Sequence, residues 1–170
     1  MVMVLVGGPR RHREDAISTT STSDDAPTLD AVPSGLPRRI GYLLARAGED
    51  GVREFNRALQ PYGLRGRHYT VLVVAASSSG RSQREISDLL GLDPSGIVAM
   101  VDDLERLGLV RREPNPDDRR TRLVVATGAG RQRLQETEPV ARAVDDRLLA
   151  DLDENERQTL RALLQRITHT

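Results

Sequence analysis

The chain has 170 residues, 38% apolar and 29% charged, which suits one compact domain with a tail and is too polar for a membrane protein. Its 25 basic residues are all arginine and are balanced by 25 acidic ones, so a polyanionic partner would have to be met by a local field rather than by net charge. Cysteine is absent, which excludes disulfides, thiolate metal sites and cysteine-based redox sensing.

The apolar opening Met1 to Val6 is far shorter than the roughly 20 residues of a membrane-spanning helix. It precedes Arg10, Arg11 and Arg13, the reverse of a signal peptide's charge order, so a cytoplasmic location is expected. Residues 1–34 read as a disordered arm: the run Ser18 to Asp25 is polar and of low complexity, and Pro27 and Pro33 follow. Such a segment buries too little apolar surface to offset its ordering entropy.

Within 35–63, Leu36, Ile40, Leu43, Leu44, Ala47, Phe55 and Leu59 keep helical spacing up to a stop at Pro61-Tyr62-Gly63, which predicts a helix over about 36–60. Gly48 and Gly51 make a kink in its middle an expectation. A second helix, about 65–78, is apolar nearly all round and is expected to be central. Ser82-Gln83-Arg84-Glu85 is a capping box. The short helix behind it is expected to bury Ile86, Leu89 and Leu90 and to end at Gly91. Asp93-Pro94 then reads as N-cap and first residue of the next helix. Its stripe is Ile97, Met100, Val101, Leu104 and Leu107, with Gly108 as its stop. Two short helices around a tight glycine-bearing turn make a helix-turn-helix.

Two β-rich pieces follow, Leu109 to Arg112 and Arg122 to Ala126, around a turn-rich tip from Pro114 to Thr121. A hairpin directly after a helix-turn-helix is a wing, so 64–127 reads as a winged helix-turn-helix and the fold class as mainly α with a small β-hairpin. Thr127 caps a long helix over about 128–150 with Leu134, Ala141 and Leu148 seven apart. A second capping box at Asp153 to Glu156 starts a last helix that presents Leu160, Leu163, Leu164 and Ile167.

At about 100° per residue, the core stripe of the helix from Pro94 leaves Ser95, Ala99, Asp102 and Arg106 opposite, with Val98 flanking. That face is small and polar, which suits a helix lying in the major groove. Ser95 can bond a base edge or phosphate, Val98 and Ala99 can touch thymine methyls, and Gly96 and Ala99 let backbone come close. Between Arg111 and Arg122 five arginines face three acids. An arginine-bearing hairpin tip can enter the narrow minor groove, with Asp118 expected to pair with Arg120 and hold it extended.

The stretch Val101 to Arg112, then Asp118-Arg119-Arg120, Leu123 to Thr127 and Gly130, resembles the signature of the multiple antibiotic resistance regulator (MarR) family. The resemblance covers about 36–168 in helix order, with its specific part at about 82–130. It implies a DNA-binding transcriptional regulator, a repressor in most readings, with Arg120 as the arginine entering the minor groove and Asp118 as its acidic partner. The DNA-contacting set expected on residues and resemblance together is Ser82, Gln83, Ser95, Gly96, Val98, Ala99, Asp102, Arg112, Asp118, Arg119, Arg120 and Arg122. Members often carry Thr-Arg where this chain has Val98-Ala99, so an operator sequence does not transfer from relatives.

The winged helix is too small to cover the apolar stripes of 35–63 and 128–170, which are therefore expected to pair between two copies. A twofold dimer would set its recognition helices roughly 34–36 Å apart and require a palindromic operator. The resemblance implies the same assembly and a small aromatic or phenolic effector, for which Tyr42, Arg46, His68 and Tyr69 are candidate contacts. No catalytic motif occurs among those that carry a mechanism, and no cofactor or metal is expected. The alternative left open is a winged helix that binds protein without DNA.

Overall fold

The computed structural model describes residues 38–77 and 80–168; the expected disordered arm and Leu36 lie outside them. Six helices and three short strands follow in the order α1 (Ile40–Leu59), α2 (Gly66–Ala75), β1 (Arg81–Ser82), α3 (Gln83–Leu90), α4 (Pro94–Arg106), β2 (Val110–Pro114), β3 (Arg122–Ala126), α5 (Gly128–Leu148) and α6 (Glu154–Thr168). No helix among the described residues is long and apolar enough to cross a membrane.

The local signals act where the residue types place them. α1 runs through Gly48 and Gly51 as one uninterrupted helix, with Gly51 buried, and a 3₁₀ turn at Gln60–Tyr62 closes on Gly63 at φ 69°. Ser82 and Glu85 cap α3 reciprocally, and Gly91 ends it in the left-handed conformation at φ 60°, which costs glycine nothing sterically. Asp93 caps α4 with Pro94 in its first turn, and Thr127 caps α5 by accepting from the Gly130 amide. At the start of α6, Asp153 and Glu156 exchange amide bonds of 2.9 Å each.

One core joins the helices to the sheet. Leu59, Leu72, Ile86, Ile97, Val101 and Leu104 are fully buried, and Val110, Val124 and Val144 seal it from the strands and α5. Phe55 and Tyr69 meet edge to face at 5.2 Å between ring centroids and lock α1 against α2. The expected hairpin is present, with Val110 opposite Ala126, Arg112 opposite Val124 and Pro114 opposite Arg122. It is part of a three-stranded antiparallel sheet ordered β1-β3-β2, because Arg81 and Ser82 pair with Val124 and Leu123. A two-residue strand has no period of its own, so nothing in the sequence pattern marked it.

Several residues expected in the core are not there. Leu89 is 56% exposed and Leu107, the C-cap of α4, is 51% exposed. Both follow helical spacing, but Leu89 faces outward between buried Ile86 and Leu90 on the same helix, and Leu107 stands past Leu104, the last buried residue of α4. Ile40, Leu43 and Leu44 on α1, Leu148 on α5, and Leu163 and Ile167 on α6 are also exposed. α6 buries no residue at all. It is tied to α5 by Arg157, whose guanidinium donates to the Leu149 and Leu152 carbonyls and pairs with Asp146 at 3.0 Å.

The start of α5 lies on the backbone that enters the hairpin. A Cβ on Gly130 would stand 2.0 Å from the Leu109 carbonyl oxygen, so only glycine fits. Gly130→Ala is expected to lower stability by about 2 kcal/mol or more, since overpacking at fixed backbone forces the helix off its seat. Urea unfolding at one protein concentration checks this, and an unchanged midpoint would mean that α5 shifts freely.

Candidate nucleic-acid interface

The first turns of α4 form the exposed face of the helix-turn-helix. Ser95, Val98 and Ala99 are exposed and Gly96 is partly exposed, while Ile97, Met100 and Val101 turn into the core. Val98, at 41% exposure, is an apolar side chain held in solvent on this face. The Asp93 carboxylate accepts from the Ser95 amide at 2.8 Å and from its hydroxyl at 2.5 Å. These bonds, the hydroxyl's first, hold the Asp93 carboxyl below its ordinary pKa. With its proton directed at Asp93, the Ser95 oxygen is presented outward as an acceptor, and it must rotate to donate to a phosphate.

Ser82 is placed differently from the expectation. It is buried, its hydroxyl donates to Glu85 Oε2 at 2.7 Å, and its oxygen accepts from the Glu85 amide. Its hydrogen-bonding capacity serves the α3 cap. Gln83, Asp102 and Arg112 are brought together, but onto one another: Arg112 donates to Gln83 Oε1 at 2.9 and 2.7 Å and to Asp102 Oδ1 at 2.6 Å.

The hairpin tip is built around Asp118. Its carboxylate accepts from the Arg120 amide at 3.0 Å and the Thr121 hydroxyl at 2.8 Å, which lowers its pKa, the amide bond being the larger cause. Asp118 therefore holds Arg120 through its backbone rather than through the expected ion pair, because an amide two residues on closes a tight Asx turn that a long side chain would not need. Asn115 closes the other side, receiving the Asp117 amide at 3.0 Å on its side chain. Arg119, Arg120 and Arg122 are exposed and take part in no ion pair among the described residues, whereas Arg111 pairs with Glu113 and Arg112 with Asp102 and Glu105. Several arginines elsewhere are matched by acids, as in Arg57–Glu54, Arg142–Glu138 and Arg157–Asp146. The tip is left as a local excess of positive charge, missed by a count over the whole chain.

The four candidate effector contacts are each engaged elsewhere or apart. Arg46 pairs with Asp50 on its own helix at 3.4 Å, and Tyr42 is partly buried one turn earlier. His68 Nδ1 accepts from the Arg65 amide, and Nε2 lies 3.4 Å from Asp103 of α4. Tyr69 points the other way, donating its hydroxyl to Glu138 Oε2 of α5 at 3.0 Å. Neighbours in sequence on α2, His68 and Tyr69 thus face opposite lobes.

A capped helix-turn-helix with an exposed small-residue face, followed at once by an arginine-tipped hairpin, defines a winged-helix DNA-binding protein. The sequence profile described as the MarR family matches residues 62–121. The structure of CouR from Rhodococcus jostii RHA1, solved with p-coumaroyl-CoA, is 39% identical and superposes with a TM-score of 0.72 over 79% of this chain and 95% of that one. A MarR variant from E. coli, solved with operator DNA, is 26% identical with a TM-score of 0.69 over 75% and 92%. The HTH-type transcriptional repressor Rv2887 of Mycobacterium tuberculosis is 29% identical over 128 residues, 75% of this chain and 92% of that protein. The chain belongs to the MarR family of winged-helix transcriptional regulators.

Burial, followed by the bond to Glu138, pushes the Tyr69 phenol up to about 12. A raised pKa means that the folded state holds this proton more tightly than the unfolded chain. The stability it contributes is complete below pH 10 and is lost as pH rises through about 12. Tyr69→Phe should remove from the phenolate absorbance titration a step centred near pH 12. Loss of a step near pH 10 would instead place this hydroxyl in water.

Proposed function

We propose that the chain acts as a homodimeric repressor that binds a palindromic operator and is released by a small aromatic ligand. The observation that carries the DNA contacts is the pairing of the exposed N-terminal face of α4 with three arginines that lack ion-pair partners at the hairpin tip. In this reading Ser95, Gly96, Val98 and Ala99 meet base edges in the major groove, while Arg120, flanked by Arg119 and Arg122, reaches the adjacent minor groove. Asp118 shapes the tip that presents them. The operator-bound MarR variant supports this reading, and the ligand reading rests on CouR with p-coumaroyl-CoA. Tyr42, Arg46, His68 and Tyr69 remain the side chains proposed for that ligand. Occupying them would require the Tyr69–Glu138 or His68–Asp103 contact to open, which would couple a ligand to the seating of α2 against α5 or α4.

Support for the dimer is the apolar surface left at both chain-end helices. Ile40 is 75% exposed, Leu163 50% and Ile167 59%, and a helix without a buried residue gains its apolar contacts only from another surface.

Arg120→Ala should weaken binding to a duplex selected from a random library and lower the slope of log affinity against log salt by about one ion. Val98→Ala should instead change which sequence is preferred, by about 1 kcal/mol at one base position. Equal loss on all duplexes would remove Val98 from base reading. Leu163→Asp should convert a sedimenting dimer into a monomer, with at least a tenfold weaker self-association; an unaltered dimer would put the interface elsewhere.

A further inference from the structure

In the DNA-binding lobe, the Arg112 guanidinium is spent on two other elements of the protein at once. Arg112 stands in β2 opposite Val124, midway along the hairpin rather than at its tip. Nε and Nη2 both donate to Gln83 Oε1, at 2.9 and 2.7 Å, in the first turn of α3. Nη2 also donates to Asp102 Oδ1 at 2.6 Å, and Nη1 pairs with Glu105 Oε2, both acceptors lying on α4. The Arg112 backbone amide donates to Glu105 Oε1 at 3.1 Å. Three residues apart, Asp102 and Glu105 share one face of the helix, and the planar fork of arginine reaches them and Gln83 at once, as a lysine could not.

We infer that Arg112 is a positioning residue that fixes the angle between the recognition helix and the hairpin, and that Gln83, Asp102 and Glu105 are its anchors rather than DNA contacts. Two observations support this. The Arg112 side chain is only 20% exposed and each of its three guanidinium nitrogens already donates to a neighbouring side chain. The cluster also carries one positive and two negative charges (+1 − 2 = −1), so it offers a phosphate no net attraction, in contrast to the tip. α4 and the hairpin must enter neighbouring grooves together, so an error in the angle between them misplaces both sets of contacts. The inference rests on the proposed DNA contacts of α4 and the hairpin, and the experiment separates the two.

The probe is a fluorescent duplex recovered from a random-sequence library by the parent chain, with Arg112→Met and Asp102→Ala as variants. Arg112→Met should bind roughly tenfold more weakly with an unchanged salt slope, because no phosphate contact is lost. Asp102→Ala should bind roughly threefold more weakly even though it removes a negative charge. In the DNA-free chain, both should speed amide exchange in β2 and β3, while Arg120→Ala leaves it unchanged. A slope lower by about one ion for Arg112→Met, tighter binding for Asp102→Ala, or unaltered exchange in both variants would overturn the inference. If the parent recovers no duplex, the DNA contacts fail, and the exchange measurement still decides the clamp. If Arg112→Met does not fold, Asp102→Ala, altered at a half-exposed position, and Arg112→Lys decide it in the same assays.

Discussion

The arrangement of the chain depends on how closely the first turn of α5 approaches the backbone that enters the hairpin. Three bonds converge there: the Thr127 amide donates to the Leu109 carbonyl at 3.0 Å, the Thr127 hydroxyl to the Gly108 carbonyl at 2.7 Å, and the Gly130 amide to the Thr127 hydroxyl at 3.0 Å. They tie the end of α4, the start of β2, the end of β3 and the beginning of α5 into one knot. The direction of α5, which carries Val144 and Glu138 to α1 and α2, is set at this point. Without a glycine at 130, the two halves of the molecule would meet at another angle.

Charge is also organised locally. The chain is neutral, yet many of its arginines are paired with acids, while Arg119, Arg120 and Arg122 cluster at the hairpin tip with no ion pair among the described residues. Exposed pairs such as Arg53–Asp50 and Arg57–Glu54 contribute little to stability, but they cancel positive field away from the DNA-binding lobe. A partner with dense negative charge would sense the cluster of arginines at the tip, and the sensing would weaken with salt.

Much of the fold was legible because its punctuation is local. Ser82-Glu85, Gly91, Asp93-Pro94, Thr127 and Asp153-Glu156 act through bonds spanning a few residues, and each bounds an element at or next to the expected place. Signals that require the third dimension were not legible. β1 exists because β3 offers it an edge, and Leu89, exposed beside buried Leu90, shows that spacing alone does not say which side of a short helix its neighbours cover. Among the proposed site residues, the exposure of Ser95, Val98, Ala99 and the tip arginines was legible because it follows from helical projection and turn composition. Asp102 projects to the same face, yet its ion pair with Arg112 depends on where β2 returns beside α4, and only the hairpin register determines that. The role of Asp118 was half legible: an acid two residues before Arg120 suggested a partner, but not that the partner is its amide.

Arg157 also bears on how the chain matures. Its guanidinium donates to the carbonyl of Leu149, the C-cap of α5, where the helix dipole is negative, and to that of Leu152 in the link to α6, and with its Asp146 pair it ties down a helix that buries no residue. A segment held so lightly opens at little cost, so, if the proposed dimer forms through it, its apolar side chains come and go from water until it meets a second copy. Newly made protein at low abundance would then be a better target for proteases than the same protein once accumulated, and the steady amount of regulator would rise more steeply than its rate of synthesis.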